Sequence, residues 1–191
     1  MPEEGIENNM IESIANSDLK DVAVDIAEIS LDSIMQDGIA KDIPIIGSLF
    51  KLYSAGKTIS GKIFERKIVA FLIETEKTDK ESKEKFYKEL KADDGLKKRT
   101  GEVILVMLEK IDDIEKATLL GKLFKRKMEG KIDFELFHRL ATVIANTFLP
   151  DLKLLTSYKD QNQFVSFTSV SLENSGLVHL HYIKPEIYNE L

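Results

Sequence analysis

Residues 43–72 read IPIIGSLFKLYSAGKTISGKIFERKIVAFL and form the most apolar stretch of this 191-residue chain. At 100° per residue, seven large apolar side chains of this stretch fall on one arc of a helix, which is typical of a buried helical face. We therefore predict that this central segment (residues 43–72) is the helix around which the rest of the chain packs. The seven residues are Ile46, Leu49, Phe50, Tyr53, Phe64, Ile68 and Phe71.

Proline and glycine open and interrupt the central segment. Pro44 suits the first turn of a helix, because the amide that proline lacks would have no partner within the helix. Gly56 and Gly61 each lower helix propensity by about 1 kcal/mol relative to alanine. We therefore predict a helix that begins near Pro44 and bends between the two glycines.

Charge sets the central segment apart from the rest of the chain. Its only acid is Glu65, so its net charge is +4 in a protein of net charge −6. Residues 1–42 have a net charge of −9, and helical spacing of apolar residues predicts a helix there from Asp18 to Gly38. Helices joined by a short loop pack together, so we expect this acidic helix to mask the cations of the central segment. These cations are Lys51, Lys57, Lys62, Arg66 and Lys67.

Five more helices are predicted between the central segment and Tyr158, for a total of about seven. The breaks between them carry residues that cap helices: Asp79, Asp133 and, at a tight helix–turn–helix corner, Gly130. The predicted fold class is therefore all-α, a multi-helix bundle. Its predicted core residues are Phe64, Ile68, Phe71, Val106, Leu120, Phe137 and Ile144.

The composition changes after Lys159. The stretches FVSFTSVS (164–171) and LVHLHYI (177–183) are rich in β-branched and aromatic residues, which favour strands. We predict a small C-terminal β-hairpin or a winged-helix-like tail. The predicted domains are a helical domain of residues 1–158 and a small appendage of residues 159–191.

No arrangement of residues indicates catalysis, a cofactor or a metal. The chain has no cysteine, which excludes disulfides and thiol nucleophiles. The corner at Gly130 resembles half of a calcium loop, but Lys125 and Lys127 stand where calcium requires oxygen ligands. His179 and His181 would share a strand face without a third ligand. The paired acids Asp93, Asp94, Asp112 and Asp113 stand at predicted helix boundaries, where aspartate is a cap. We predict a protein that is not an enzyme and has no cofactor.

The two ends of the chain differ from what a secretory signal or a nucleic-acid-binding surface requires. The N-terminus MPEEGIENN is acidic and polar, which does not fit a secretory signal, so we predict a cytoplasmic protein. The tail after Lys159 carries Lys184 as its only basic residue. Because phosphate binding depends on Lys and Arg, we predict no nucleic-acid partner.

Three stretches resemble a family of small helical bacterial and prophage-type proteins. They are DIPIIGSLFKLYSAGKTISGKIFERKIVAFL from Asp42, GEVILVMLEKIDDIEKATLLGKLF from Gly101 and GKIDFELFHRLATVIANTFLPDLKLL from Gly130. The resemblance covers most of residues 36–180. The family carries no assigned activity, so the resemblance implies a bacterial protein and no catalytic residue.

Two functions remain open. The first is a helical protein-interaction module in which the central segment is the core helix. The second is a peripheral membrane-surface protein that uses the central segment as a basic amphipathic helix, since each Lys or Arg contributes about 1 kcal/mol at an anionic surface. Exposure of Leu49, Phe50, Phe64 and Phe71 would distinguish the two. The predicted partner-binding or lipid-binding residues are Lys51, Lys57, Lys62, Arg66, Lys67, Leu49 and Phe50.

Overall fold

A computed structural model describes residues 5–16, 43–52, 59–155 and 167–177. All regular secondary structure in these ranges is helical, which confirms the all-α class. The described ranges contain nine helices rather than about seven. They are α1 (Ile6–Asn16), α2 (Pro44–Leu52), α3 (Ile59–Glu76), α4 (Lys80–Ala92), α5 (Asp94–Lys110), α6 (Ile114–Met128), α7 (Phe134–Asn146), α8 (Leu149–Leu154) and α9 (Phe167–Asn174).

The predicted C-terminal hairpin is not seen. Residues 167–171, predicted as part of its first strand, lie in α9, and residues 178–191 fall outside the described ranges. After α9 the chain turns at Gly176, whose φ is 76°, and the Leu177 N–H donates to the Leu172 C=O at 3.0 Å. Strand propensity reflects side-chain packing within a sheet rather than a backbone preference, so it does not prevent a short helix here.

The chain divides into two compact units, residues 1–145 and residues 146–191. Within the second unit, α8 packs against α9. Pro150 lies in the first turn of α8, where proline is tolerated. The boundary that we predicted after Tyr158 lies among residues that the structure does not describe.

The helices α3 and α6 form the most extensive contact of the first unit. They approach closely at Gly121, where a Cβ atom would lie 2.7 Å from the carbonyl oxygen of Phe71. Beside this crossing, the ring of Phe124 has the rings of Phe71, Phe86 and Phe137 around it, with centroids 5.1–5.6 Å away. These aromatic contacts join α3, α4, α6 and α7 into one core.

The first helix, α1, was not predicted. It is amphipathic, and its residues Met10, Ile11 and Ile14 are buried. Gly101 of α5 lets the α1 backbone approach, because a Cβ there would collide with the carbonyl oxygen of Glu7. The same helix also contacts α2.

A polar contact fixes α1 to the start of α2. The hydroxyl of Ser13, which is fully buried, accepts a hydrogen bond from the Ile45 N–H at 2.9 Å. The first amides of a helix have no partner within that helix, so a side chain from α1 satisfies one of them. The amide of Asn9 donates to the Ser48 hydroxyl at 2.7 Å, one turn further along α2.

The described residues of the central segment lie in two helices. α2 begins at Pro44 as predicted and ends at Leu52, and α3 begins at Ile59. Gly61 is buried inside α3, and residues 53–58, which include Gly56 and most of the predicted bend, are outside the described part of the chain. α3 also continues four residues beyond the predicted end, to Glu76.

Most of the predicted core is confirmed. Ile68, Phe71, Leu120 and Phe137 have no exposed surface, and Phe64 and Ile144 are half-buried. Val106 is a wrong prediction, because 43% of it is exposed. Helix α5 turns a different face to the core, and Val106 lies on its outer side. The residues of that inner face are Ile104, Met107, Leu108 and Ile111.

The predicted capping roles are confirmed by hydrogen bonds. The carboxylates of Asp79, Asp93, Asp113 and Asp133 accept from backbone N–H groups of the following helix at 2.7–2.9 Å. At the corner after α6, Gly130 has φ 69°, which glycine adopts without strain. Of the paired acids, Asp93 and Asp113 are therefore caps, whereas Asp94 is the first residue of α5 and Asp112 forms an ion pair with Lys116 at 2.6 Å.

Candidate functional site

The predicted binding residues do not share one environment. Leu49 and Lys67 are buried, Lys62 is exposed, and Arg66 is half-buried. The remaining three, Phe50, Lys51 and Lys57, have side chains outside the described part of the structure. The structure therefore divides the predicted site between the core and the surface.

Lys67 is an anchor between two helices. Its ammonium group donates a hydrogen bond to the carbonyl oxygen of Ile111, at the C-terminal end of α5. Burial lowers the pKa of Lys67, and the negative charges of Asp112 and Glu109 oppose that shift. A cation at a helix C-terminus also offsets the partial negative charge of the unpaired carbonyls.

Lys116 is a second buried lysine, which the sequence analysis missed. Its ammonium group lies 2.6 Å from Asp112 Oδ1 and 3.4 Å from the carbonyl oxygen of Ala145. The hydrogen bond from Lys116 lowers the pKa of the Asp112 carboxyl group. Lys67 and Lys116 form a buried lysine pair, which links the middle of α3 to the end of α5 and the start of α6 to the end of α7, while the Asp112 side chain that binds Lys116 is 70% exposed.

A separate polar cluster links α1 to α4 and α5. The Glu12 carboxylate accepts from the Tyr87 hydroxyl at 2.5 Å and from Lys97 Nζ at 2.8 Å. Burial pushes the pKa of Glu12 upward, but the hydrogen bonds from Lys97 and Tyr87 outweigh it, and the pKa falls below its usual value. Sequence reasoning missed this cluster because Glu12 and Lys97 are 85 residues apart.

The corner between α6 and α7 carries a dense positive charge that sequence reasoning also missed. Residues 122–131 hold five cations and one acid, a net charge of +4 within ten residues. The carboxylate of Glu129 lies 2.7 Å from Lys131, 3.4 Å from Arg126 and 3.8 Å from Lys125. We call this surface the basic corner, defined by Lys122, Lys125, Arg126, Lys127 and Lys131. The net charge of a ten-residue window would have identified this corner, whereas the sequence prediction used the net charge of the 30-residue central segment.

Of the three histidines of the chain, His138 lies within the described residues. His138 is half-buried, and its ring lies 6.4 Å from that of Phe134. Over the described residues, no three His, Cys, Asp or Glu side chains are grouped to hold a metal ion. His179 and His181 lie outside those residues.

Comparison with known proteins adds no relative, since no family model, curated protein or solved structure matches the chain. Among the described helices, none has both the length and the apolar character needed to cross a membrane.

Proposed function

We propose that this protein is a non-enzymatic helical protein-interaction module. The observation that supports this most is the burial of four described residues on the apolar face of the central segment, Ile46, Leu49, Ile68 and Phe71, with Phe64 half-buried beside them. Leu49 is 2% exposed and Phe71 has no exposed surface. These side chains contact the protein's own helices, so they are not displayed for insertion into a lipid surface.

The polar residues of the first unit support a binding role rather than a chemical one. Asp93 and Asp113 cap helices, Glu12 is held by Tyr87 and Lys97, and Lys67 is bound to a backbone carbonyl. A general base or nucleophile must reach a substrate, whereas these groups are engaged within the fold.

The exposed start of α3 is the proposed contact surface. Lys62 is exposed, and 41% of its neighbour Ile63 is exposed beside it. An apolar side chain flanked by a cation suits a protein partner, in which an apolar contact is surrounded by polar groups. A cytoplasmic setting and a protein partner complete the proposal, with an anionic membrane surface as the alternative partner.

Site-specific crosslinking in cells that naturally express the protein tests this proposal. A photo-crosslinkable phenylalanine analogue replaces Ile63 in the full-length chain, and a matched control carries it at Lys88, an exposed position on α4. We expect a reproducible covalent adduct with one protein from position 63 and none from position 88. Equal adducts from both positions would contradict the proposed surface.

Flotation with vesicles tests the alternative on the same intact protein. The vesicles contain phosphatidylcholine with or without phosphatidylserine. We expect no flotation with either composition. Salt-sensitive flotation with phosphatidylserine vesicles, together with no adduct from position 63, would replace the interaction module with the membrane-surface function.

A further inference from the structure

The basic corner has more positive charge than its own carboxylate can neutralise. Glu129 is the acid that these cations surround, and its side chain is 12% exposed. Arg126 and Lys131 keep 58% and 55% of their side chains exposed while they contact it. The corner therefore presents cations to solvent around a carboxylate that is already held.

Hydrogen-bond capacity remains on the two exposed cations. A guanidinium has five N–H donors and an ammonium has three. Arg126 and Lys131 each direct one donor to the same oxygen of Glu129. The remaining donors can bind a second carboxylate, and the planar guanidinium suits such a group in bidentate geometry.

Stabilisation of the end of α6 accounts for only part of the cluster. Basic residues in the last helical turn offset the helix dipole, which explains Lys125, Arg126 and Lys127. Lys131 lies beyond the helix, after Gly130, and its ammonium group turns back to Glu129 at 2.7 Å. The next acid in sequence, Asp133, is engaged as the cap of α7.

We propose that the basic corner binds an acidic segment of a partner protein, with Arg126 and Lys131 contacting its carboxylates. The proposal rests on the proposed function and adds a second contact surface with a stated chemistry. A protein segment fits better than a nucleic acid or membrane, because the chain has net charge −6 and residues 1–42 alone carry −9. An extended polyanion would meet that repulsion, whereas a short acidic segment would contact the corner alone.

A fluorescein-labelled peptide of twelve alternating glutamate and serine residues is the probe, and its anisotropy with the full-length protein reports binding. The corner variant is Arg126→Glu with Lys131→Glu. The control is Lys85→Glu with Lys88→Glu, which changes the charge equally at two exposed lysines of α4. We expect about tenfold weaker binding for the corner variant, at most about twofold for the control, and weaker binding of the unmodified protein at high salt.

Several outcomes would overturn this inference. They are absence of peptide binding, an equal loss in both double variants, or tighter binding of a single-stranded oligonucleotide or phosphatidylserine vesicles that depends on the same residues. Circular dichroism of both variants shows whether they remain folded. Should position 63 still crosslink to a partner while the corner variant binds the peptide normally, the inference fails and the proposed function stands. No adduct from position 63 together with no peptide binding by the unmodified protein would contradict both.

Discussion

The buried lysine pair and the basic corner place the same kind of charged group in opposite environments. Lys67 and Lys116 are buried and bind backbone carbonyl oxygens of Ile111 and Ala145. Lys131, in contrast, is half-exposed and binds a carboxylate on the surface. A buried cation without partners is strongly destabilising, so the first two must be integral to the packing, while surface cations contribute little to stability. Charge counted along the chain therefore does not separate buried cations from exposed ones.

Replacement of Lys116 should have the largest effect on stability. Lys116→Ala removes a fully buried side chain and leaves the Ala145 carbonyl without this donor. We expect the free energy of unfolding to fall by about 2–4 kcal/mol, from the cavity and the lost hydrogen bond. Urea unfolding followed by circular dichroism measures it. Lys122→Ala, on the exposed side of the same helix, is the control and should change it by less than about 0.5 kcal/mol.

Lys67→Met should have a smaller effect, because the thioether fills much of the same space. The change removes the hydrogen bond to Ile111 but also removes a charge from the interior. We expect a loss of about 1–2 kcal/mol at pH 7. If Lys67→Met lost as much stability as Lys116→Ala, the two buried lysines would contribute equally and the expected order of the two losses would be wrong.

The pH dependence of the stability of Lys67→Met tests whether burial lowers the pKa of Lys67. Burial lowers the pKa of Lys67 in the folded protein below 10.5, so the unfolded chain binds more protons between the two values. Stability therefore rises with pH in that window for the unmodified protein, relative to Lys67→Met. Unfolding of both proteins at pH 7 and at pH 10 measures the difference. A constant difference would contradict the assigned effect of burial.

The polar cluster of Glu12, Tyr87 and Lys97 is partly buried, so its environment is intermediate between those of the buried lysine pair and the basic corner. Its pKa is lowered, so its contribution is present above pH 4.5 and is lost as the pH falls through the folded-state value. Glu12→Gln should reduce stability by about 1–2 kcal/mol at pH 7, through weaker bonds to Tyr87 and Lys97. At pH 3 the difference in the free energy of unfolding between the unmodified protein and Glu12→Gln should be smaller. A difference that increases in acid would contradict a stabilising role for the ionised Glu12 carboxylate.

The smallest change in stability is expected at the basic corner. Arg126→Ala removes an exposed contact to Glu129, a carboxylate that retains Lys131 at 2.7 Å. We expect a change of less than about 0.5 kcal/mol in the free energy of unfolding. Combined with weaker binding of the acidic peptide, that result would separate a binding surface from a structural one. A loss above about 2 kcal/mol would assign the corner a structural role.

Local patterns predicted much of the helical architecture. The caps at Asp79 and Asp133 and the corner at Gly130 were predicted because each depends on backbone groups only a few residues away. The helix α1 was missed, although Met10 and Ile14 show helical spacing, because its short polar sequence gives a weak signal without its partners. Its place is fixed by distant residues such as Gly101.

What the sequence determined by itself is the all-α class, the helix caps and the apolar face of α3, with Ile68 and Phe71 buried on it. Only the tertiary structure decided which charges are internal. Lys62 and Lys67 are five residues apart on α3, yet Lys62 is exposed and Lys67 binds a carbonyl 44 positions later in the chain. Helical periodicity follows from local backbone geometry, whereas burial of a cation depends on carbonyl groups that distant helices bring to it.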